Sequence, residues 1–403
     1  MSVVVMKFGG TSVADSTCVK NVAEKVAKAY KKHGKVVVVV SAQGDTTDNL
    51  IKKAGEINPS PSKREMDVLL SAGEQMSMAL LAMAIENLML PVVSLTGRQA
   101  GIKTNLNYGD AKIVKVNTER ILAELSNKKI VIIAGFQGVN RNDDITTLGR
   151  GGSDTSAVAV AVALNAELCE IYTDVDGVYT ADPRIVPDAK KLKDISYDEM
   201  LELSSLGANV LHNRSVEMGL RYNNKIEVKS SFSDEPGTVI KEVNKVEKML
   251  VRGVAMDRNI SKFTIIEVEN TVGQDFRIFS LLAKKNISVD IITQSTDRNN
   301  KNDIVFTVHI KDAEKTLEII KENIDYICAK DVICDNNVAK VSIVGAGMAS
   351  NPGVASKMFE ALYDEDINIQ LVSTSEIKVS VLVDQEVSEK AVRAIHDKFD
   401  FGD

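Results

Sequence analysis

The last third of the chain contains an internal repeat, and this repeat constrains the fold more than any other feature of the sequence. Residues 279–292 match residues 359–372 without gaps at a constant offset of 80 positions, and Gly273 likewise matches Gly353. Each copy predicts a strand, a glycine turn, a helix and two further strands, a βαββ unit typical of small ferredoxin-like modules. Two copies are too few for a solenoid, so we predict a paired regulatory module.

The preceding part of the chain alternates short apolar runs with helical patterns. Buried strands are predicted at Val3–Phe8, Val36–Val40, Val92–Leu95, Ile130–Ala134 and Leu168–Tyr172. Helices are predicted after Gly10 as far as Lys32, with Gly34 as the stop, and then at Thr47–Ala54, at Lys63–Asn87 and from Ser153 onwards. This alternation predicts an α/β layer fold with a mainly parallel sheet. The pattern changes near residue 236, and the charged residues 241–248 are predicted to form a linker or a short helix.

Composition excludes several classes of protein. The 403 residues include 49 basic and 56 acidic side chains, a formal charge of −7, and 44% of them are apolar. This is a globular composition, and its acidity argues against a general nucleic-acid or membrane-surface binder. The N-terminal sequence MSVVVMKFGG has no basic leader, and no apolar run predicts a membrane span, so neither a signal peptide nor a membrane segment is expected.

Cysteine and histidine usage leads to two further expectations. The four cysteines are scattered and form no CxxC motif, which predicts reduced thiols in a cytoplasmic protein. The four histidines are far apart and show no metal-ligand spacing, so a transition-metal site built by the protein is not expected.

Three glycine-rich loops follow predicted strands and carry the candidate site residues. They are Lys7–Ser12, Leu148–Ser156 and Tyr172–Arg184, and further glycines follow two other strands at Ser41–Gly44 and Phe136–Gly138. The carboxyl ends of parallel strands meet at one edge of a sheet, where ligands bind. Glycine lets backbone N–H groups approach an anion, and Lys7, Arg150 and Arg184 add positive charge. The combination predicts a polyanionic substrate, most simply a nucleoside triphosphate, although each loop alone is also compatible with an ordinary βα turn or helix cap.

Other motifs narrow the possibilities. No GxxxxGK[ST] sequence and no HRD or DFG set is present, which excludes a P-loop enzyme and a protein-kinase fold. The run from Asp174 to Gly177 lacks the later acidic positions of an EF-hand, which excludes a calcium loop. The run Val341–Met348 offers a strand followed by Gly-Ala-Gly, so a nucleotide-linked dehydrogenase is an alternative. Ser350 stands where the third glycine belongs, and no well-placed acidic residue ends a clear second strand.

Four motifs together resemble the aspartate kinase (aspartokinase) family of the amino-acid kinase superfamily. They are KFGGTSV at 7–13, SLTGRQAG at 94–101, TTLGRGGSDTSA at 146–157 and YTDVDGVYTADPR at 172–184. The second half, including Val344–Met348 and Asn351–Val354, resembles the tandem ACT domains of that family. The resemblance implies a three-layer αβα sandwich with a mainly parallel sheet, followed by two ferredoxin-like ACT domains. The implied domains are 1–240 for the kinase, 263–338 for the first ACT domain, and 250–262 plus 339–403 for the second.

The resemblance also implies a reaction. The family moves the γ-phosphoryl group of Mg-ATP to the β-carboxylate of L-aspartate, the first step towards lysine, threonine and methionine. The acceptor is already an anion at neutral pH, so positioning and electrostatic stabilisation dominate the chemistry. Magnesium would be held by ATP oxygens and water, with no ligand from the protein.

Site residues follow from the matching motifs. Lys7 and Asp154 are implied as catalytic, with Asp154 orienting Lys7. The implied aspartate-binding residues are Ser41, Thr47, Glu74, Arg150, Gly151, Gly152 and Ser153. The implied ATP-binding residues are Lys7, Phe8, Gly9, Gly10, Thr11, Thr173, Asp174, Tyr179, Asp182 and Arg184. Arg150 would pair with the α-carboxylate of aspartate and Glu74 with its ammonium, although the helical pattern alone puts Glu74 on a solvated face.

The repeats are predicted to bind lysine, threonine or both as feedback inhibitors. By resemblance the effector contacts are Gln274, Asp275, Phe276, Ile278, Asp290 and Gln294 in the first copy, and Asn351, Val354, Asn368, Ile369, Thr374 and Glu376 in the second. Asp290 would meet a lysine ammonium. Because ACT units pair edge to edge between chains, a homo-oligomer, either a dimer or a tetramer, is expected.

The chain departs from the family pattern at a few positions. Asn209 stands where the family has a lysine near the nucleotide, and Asn213 replaces a proline. Residues 271–275 lack the Pro-Gly turn present at 352–353. Two other functions agree less well with the sequence. The repeats and the TTLGRGGSDTSA run argue against a glutamate 5-kinase or uridylate kinase. The presence of every central charged residue argues against a catalytically silent amino-acid sensor.

Overall fold

A computed structural model describes residues 3–206, 210–242, 251–295, 300–346, 348, 351–399 and 401. Its described residues form two compact units. The first draws on Met1–Tyr179, Lys191–Ser205 and Asn209–Val246, and the second on Thr180–Lys190, Leu206–Ala208 and Glu247–Asp403. Asn209 and most of the predicted linker at 241–248 lie outside the described residues.

Two sheets organise the first unit. Its strands are β1 Val3–Phe8, β2 Lys35–Val40, β3 Val92–Leu95, β4 Ile102–Thr104, β5 Ile113–Val116, β6 Ile130–Ala134, β7 Gln137–Val139, β8 Ile145–Thr147, β9 Leu168–Thr173, β10 Asp194–Ile195, β11 Ile226–Ser230 and β12 Thr238–Ile240. Among the described residues the main sheet has the order β10-β12-β11-β9-β1-β2-β6-β3, and a smaller sheet has the order β5-β4-β7-β8. In the main sheet β11 and β12 pair antiparallel, and the other neighbours are parallel. The predicted mainly parallel sheet is confirmed.

Helices cover both faces of the main sheet. They are α1 Ser16–His33, α2 Thr46–Ile57, α3 Lys63–Glu86, α4 Glu119–Ser126, α5 Gly152–Ala163, α6 Tyr197–Ser205 and α7 Asn213–Tyr222, and a short 3-10 turn spans Thr11–Val13. Helix α1 begins at an Asp15 side chain that accepts hydrogen bonds from two backbone N–H groups. It ends at Gly34, whose φ of 76° is left-handed, as the predicted stop requires.

The alternation of side chains along β1 determines which layer each residue faces. Met6 and Phe8 are buried in one core cluster with residues of α1 and α3. Because neighbouring side chains of a strand point to opposite faces, Lys7 points to the other side, which α5 covers. Helix α3 is the one described helix long and apolar enough to cross a membrane. Its Leu81 and Ile85 are buried in the same cluster, which is the arrangement of a core helix.

The second unit contains two four-stranded sheets in its described residues. Its strands are β13 Gly253–Asp257, β14 Ile260–Glu269, β15 Val289–Gln294, β16 Lys301–His309, β17 Asp331–Asp335, β18 Val338–Val344, β19 Leu371–Thr374 and β20 Lys378–Asp384. Its helices are α8 Gln274–Lys284, α9 Ala313–Glu322, α10 Val354–Asp364 and α11 Ser388–Lys398, with 3-10 turns at Ile310–Asp312 and Gln385–Val387. The sheet orders are β15-β16-β14-β17 and β13-β18-β20-β19.

Each repeat is larger than the predicted βαββ unit. A second helix follows the third strand in both copies, as α9 and as α11, and a fourth strand completes each sheet. In the first copy the fourth strand is β17, which follows α9. In the second copy it is β13, which precedes the copy in sequence and pairs antiparallel with β18. The sequence match covers only the first helix and the strand after it, so it does not reveal these elements.

The segment Thr180–Lys190 packs with the second unit although it interrupts the first in sequence. Ala181 and Val186 are buried in the core cluster formed with β13, β18 and α11. The Thr180 carbonyl accepts a hydrogen bond from the Val254 N–H at 2.7 Å. The Thr180 hydroxyl lies 3.0 Å from Nε2 of His396, and burial lowers the pKa of that imidazole. The predicted site residues Asp182 and Arg184 therefore belong to the second unit.

Candidate active site

Lys7 and Asp154 form an ion pair at the carboxyl edge of the main sheet. Lys7 lies next to the end of β1, and Asp154 lies in the first turn of α5. Their Nζ and Oδ1 atoms are 2.6 Å apart, and the side chains are only 10% and 14% exposed. A carboxylate is favoured at the amino end of a helix. Because an ammonium has three donors, Asp154 can fix the direction of Lys7 and leave donors for a second anion.

The loop after β1 lies against the end of β9 and against the loops that follow β2 and β11. The Gly9 N–H donates to the Tyr172 carbonyl at 3.2 Å, and the Ser12 hydroxyl lies 2.5 Å from that of Ser231. An added Cβ atom at Gly10 would lie 2.8 Å from the Ala42 carbonyl oxygen. Residue 10 must therefore lack a side chain for the two loops to meet. Within the first unit the loops after β1 and β2 meet as predicted, whereas Arg184, which was expected at the same edge, belongs to the second unit.

Glu74 is buried, in contrast to the solvated position that the helical pattern alone favours. It lies on α3 and is 4% exposed. Its Oε1 accepts a hydrogen bond from the Ala42 N–H at 3.2 Å, whereas its Oε2 is buried without a partner. The neighbouring Gly73 allows this approach, since an added Cβ there would lie 2.8 Å from the Ala42 side chain. Burial raises the pKa of Glu74 to about 7, although the bond from Ala42 partly opposes this.

Arg150 lies between two glycines with left-handed backbone conformations. Gly149 has φ 75° and Gly151 has φ 69°. An added Cβ at Gly149 would lie 3.1 Å from Oδ1 of Asp110, and one at Gly151 would lie 2.3 Å from Cγ of His212. The Arg150 side chain is exposed, and no described residue forms an ion pair with it. The loop thus presents a guanidinium outward while both flanking glycines pack against the protein.

Further candidate residues surround these groups. Ser153 is buried, and an added Cβ at Gly135 would lie 2.9 Å from its hydroxyl oxygen. The Ser41 N–H donates to the Phe8 carbonyl at 3.1 Å, and Thr47 is partly buried on α2. Gly152 begins α5. Ser41 and Thr47 thus follow β2 of the main sheet, whereas Gly152 and Ser153 follow β8 of the smaller sheet and begin α5.

The predicted nucleotide loop divides between the two units. In the first unit the Thr173 hydroxyl donates to Asp174 at 2.9 Å, and the Tyr179 hydroxyl donates to Asp176 at 2.8 Å. Lys191 also approaches Asp176 at 3.2 Å. Asp182 and Arg184, in the second unit, form an ion pair with each other at 2.7 Å. Asp176 and Tyr179 are therefore bonded within the first unit, and Asp182 and Arg184 form their ion pair within the second.

Comparisons with known families and proteins agree along the whole chain. Residues 2–230 match the amino acid kinase family, and residues 263–325 and 341–399 each match an ACT domain. The aspartokinase of Geobacillus stearothermophilus is 48% identical over 400 residues, which cover 99% of this chain and 97% of that protein. The aspartokinase of Corynebacterium glutamicum is 47% identical over a 408-residue alignment covering 100% and 97%. The chain belongs to the aspartokinase family. The enzyme is accordingly an aspartate kinase, as its motifs predict.

Solved aspartokinase structures have the same fold. Aspartokinase III of E. coli in complex with aspartate and ADP (R-state) matches with a TM-score of 0.82 and 27% identity, over 98% of this chain and 99% of that one. The same protein in complex with lysine and aspartate (T-state) matches with a TM-score of 0.75 and 28% identity over the same shares. The predicted fold, an amino-acid kinase domain followed by two ACT domains, is confirmed.

Some polar residues that organise this aspartokinase are not recognised from its sequence. Asp67 is 1% exposed on α3 and accepts bonds from the Gly109 N–H and from the N–H and hydroxyl of Thr147. It lies seven residues before Glu74, on the same helix face, so two acidic residues at this spacing are the signal that could have revealed both. Arg214 and His212, at the start of α7, contact the Arg150 loop. Asn213 donates to the Ser205 hydroxyl at 2.7 Å.

In the first ACT domain the predicted effector residues lie in different environments. Gln274 begins α8 after Gly273, whose φ is 95°, and is 5% exposed with Oε1 buried without a partner. Asp275 and Phe276 are exposed, whereas Ile278 is buried in the domain core. On β15, Gln294 is exposed, and Asp290 forms an ion pair with the buried ammonium of Lys340 on β18. The carboxylate predicted to meet a lysine effector thus already has an ammonium partner.

The second ACT domain repeats the glycine turn. Gly353, with φ 100°, precedes α10, which begins at the buried Val354. Asn351 precedes this turn, and Ile369 is partly buried before β19. Asn368, Thr374 and Glu376 are exposed. Their roles as effector contacts stay a prediction. Among the described residues, no group of three or more His, Cys, Asp or Glu side chains suits a metal ion.

Replacing Glu74 with glutamine should stabilise the ligand-free enzyme at high pH. The folded pKa of about 7 exceeds the value of about 4.3 for an unfolded glutamate. The contribution of Glu74 to the free energy of unfolding should therefore be highest below pH 4.3, fall as the pH rises to 7, and change little above it. At pH 8 we expect Glu74→Gln to be more stable by about 1–3 kcal/mol, a gap that shrinks towards pH 4.5.

Urea unfolding across this pH range measures the effect. Glu86→Gln, on the exposed end of the same helix, is the matched control and should give no pH-dependent gap. A Glu74→Gln protein less stable than wild type at pH 8 would show that the carboxylate is held by favourable contacts instead of penalised by burial.

Proposed function

We propose that this enzyme transfers the γ-phosphoryl group of Mg-ATP to the β-carboxylate of L-aspartate, forming β-aspartyl phosphate. An oxygen of the β-carboxylate attacks the γ-phosphorus of ATP. The bond between the γ-phosphorus and the oxygen that bridges it to the β-phosphorus breaks, and ADP leaves with that oxygen. The observation that carries the proposal is the buried Lys7–Asp154 ion pair, at the sheet edge where the glycine loops converge. The complex of E. coli aspartokinase III with aspartate and ADP supports the same pair of ligands.

The phosphate side of the site is formed by the loop after β1. Lys7 neutralises the β- and γ-phosphates, and Asp154 holds its ammonium in place. Backbone groups of Phe8, Gly9, Gly10 and Thr11 line the phosphates, and Thr173, Asp174 and Tyr179 of the same unit line the nucleotide. Preorganised positive charge in a poorly solvated place stabilises the moving phosphoryl group without reorganisation. The low exposure of Lys7 and Asp154 supports this assignment.

The acceptor side depends on two charged groups of opposite sign. The exposed Arg150 grips the α-carboxylate of aspartate with two parallel hydrogen bonds. Glu74 receives the ammonium at its Oε2, which is buried without a partner in the described structure. Ser41, Thr47, Gly151, Gly152 and Ser153 complete the aspartate site. An approaching ammonium would favour the ionised form of Glu74, whose pKa burial otherwise raises.

Magnesium would be held by the phosphate oxygens of ATP and by water, because this ion sheds its hydration reluctantly and binds readily through substrate phosphates. When bound, its charge would reduce the repulsion between the two anionic substrates. The product leads towards lysine, threonine and methionine. We place the enzyme in the cytoplasm, a reducing compartment that suits its four free cysteines.

The ACT domains bind lysine, threonine or both and inhibit the kinase. The glycine turns before α8 and α10 expose helix-terminal N–H groups that favour an effector carboxylate. The unpaired Oε1 of Gln274 offers an acceptor for an effector ammonium. The complex of E. coli aspartokinase III with lysine supports a lysine effector. Lysine that reached Asp290 would compete with Lys340 for that carboxylate.

The enzyme forms a dimer or a tetramer through its ACT domains. β15 and β19 are edge strands of their sheets. Ile292 on β15 and Val372 on β19 occupy equivalent repeat positions and are 52% and 39% exposed. Exposed apolar residues on unpaired edge strands favour association with another chain.

An acceptor assay tests the reaction. With ATP, we expect acyl-phosphate formation, trapped as a hydroxamate, from L-aspartate and not from glutamate, and no phosphorylation of UMP. Lys7→Ala and Asp154→Ala should each lower kcat by about 10²–10³, because each removes preorganised charge at the reacting phosphate. Lys20→Ala, an exposed lysine of α1, should match wild type. Undiminished activity of Lys7→Ala would contradict the role of Lys7, and a wild type inactive with aspartate would indicate a sensor.

Calorimetry and inhibition assays test the effectors. Lysine or threonine should bind the full-length enzyme and inhibit it, and methionine alone should not. Gln274→Met keeps the side-chain length and removes the amide, so it should weaken effector binding by about tenfold, the value of one buried hydrogen bond. No binding of lysine, threonine or methionine would exclude the regulatory assignment.

Light scattering tests the assembly. The wild type should have at least twice the mass of one chain at micromolar concentration. Ile292→Lys, which puts a charge on an edge strand, should shift the distribution towards the monomer. Val114→Lys, at a 70% exposed apolar position of the first unit, should not. A wild type that is monomeric at every concentration contradicts the proposal.

A further inference from the structure

The residues that flank Arg150 are glycines, which have no side chains to hold its guanidinium in place. Residues 149, 151 and 152 are glycines, and two of them have left-handed φ values. An unsupported glycine loop would lose much conformational entropy on ordering around a ligand. Whatever sets the direction of the Arg150 guanidinium must therefore come from another part of the chain.

Arg214 holds the amino side of this loop. Its Nη1 donates to the Leu148 carbonyl at 2.6 Å, and its Nη2 donates to the Ala111 carbonyl at 2.9 Å. Nη1 also lies 3.3 Å from Oδ1 of Asp110, the group against which Gly149 packs. The planar fork of a guanidinium matches two carbonyls at fixed separation, which a lysine ammonium cannot do. Leu148 is fully buried, so this end of the loop is anchored.

His212 holds the carboxyl side. An added Cβ at Gly151 would lie 2.3 Å from Cγ and 2.6 Å from Cδ2 of His212, so the imidazole lies directly against the glycine backbone. Nδ1 of the ring accepts from the Arg214 N–H at 3.4 Å, which keeps the ring at the start of α7. Two residues of one helix start thus hold the loop on either side of Arg150.

We propose that Arg214 and His212 are positioning residues that set the place of the Arg150 guanidinium and thereby the affinity for the carboxylate of the acceptor. Neither acts on the nucleotide. This inference rests on the proposed function, in which Arg150 binds aspartate. The residues that hold the loop are 62 or more positions away in sequence from Arg150, at the start of α7, and the family resemblance implies no site role for either of them.

Steady-state kinetics of the full-length enzyme separates positioning from general damage. Arg214→Ala should raise the KM for aspartate by about tenfold to a hundredfold, the value of a charged hydrogen bond, and leave the KM for ATP within about twofold. Arg214→Lys should lie between Arg214→Ala and wild type, because it can reach one carbonyl only. Arg221→Ala, at the other end of α7, is the matched control and should resemble wild type.

A second pair of variants tests the imidazole. His212→Phe keeps the ring against Gly151 and should leave the KM for aspartate within about threefold. His212→Ala removes the ring that packs against Gly151, and it should raise the KM for aspartate clearly more than His212→Phe does. Both remain informative if Arg214→Ala fails to fold. Equal effects of His212→Phe and His212→Ala would overturn the role assigned to the ring.

A double-mutant cycle separates this inference from the proposed function. If Arg214 acts through Arg150, Arg214→Ala should not raise the KM for aspartate further in an Arg150→Ala background. Fully additive effects would overturn the inference. An unchanged KM in Arg150→Ala itself would refute the proposed role of Arg150. A raised KM in Arg150→Ala with a normal KM in Arg214→Ala would refute only the positioning role.

Discussion

Close packing of backbone groups around Ala42 sets the geometry of the candidate site. The loop after β2 lies between Gly10 on the loop after β1 and Gly73 on α3, and an added Cβ at either glycine would lie 2.8 Å from an atom of Ala42. Two loops and a helix therefore meet at a distance that no larger residue allows. Glu74 reaches the Ala42 N–H because Gly73 brings its helix this close. The buried carboxylate and the phosphate-side loop are thus fixed by one contact.

Charge at the site is arranged differently from charge in the chain as a whole. The formal charge of −7 argues against nucleic acid as a partner but says nothing about a small anion in a pocket. Lys7 is 10% exposed, so its field is screened less than that of a surface lysine. The carboxylate of Asp154 partly offsets the positive charge of Lys7, and it also fixes the direction of the Lys7 ammonium. Arg150 remains exposed and without an ion-pair partner in the described structure, so it can respond to a ligand.

The sequence predicts well what depends on local pattern. The strands Val92–Leu95 and Ile130–Ala134 occur at the predicted bounds, because a short apolar run between polar turns favours a buried strand. The pattern puts Glu74 on a solvated face, since periodicity does not reveal that the loop after β2 covers that part of α3. Arg214 is missed for another reason. Its partner Leu148 is 66 residues away. A hydrogen bond to a backbone carbonyl does not depend on the side chain of the accepting residue, so no sequence pattern predicts it.

The division of the chain into two units also depends on contacts between residues far apart in sequence, which the local sequence pattern does not predict. Thr180 is buried, with its carbonyl bonded to Val254 of β13 and its hydroxyl next to His396 of α11. Tyr179, one residue earlier, bonds to Asp176 in the first unit. A single peptide bond therefore joins a loop of the kinase domain to a residue fixed by the second ACT sheet and its last helix. Thr180 is held on two sides within the second unit, by a backbone bond and by a side-chain contact. The boundary between the units therefore falls inside one continuous motif, at a position that the order of side chains does not mark.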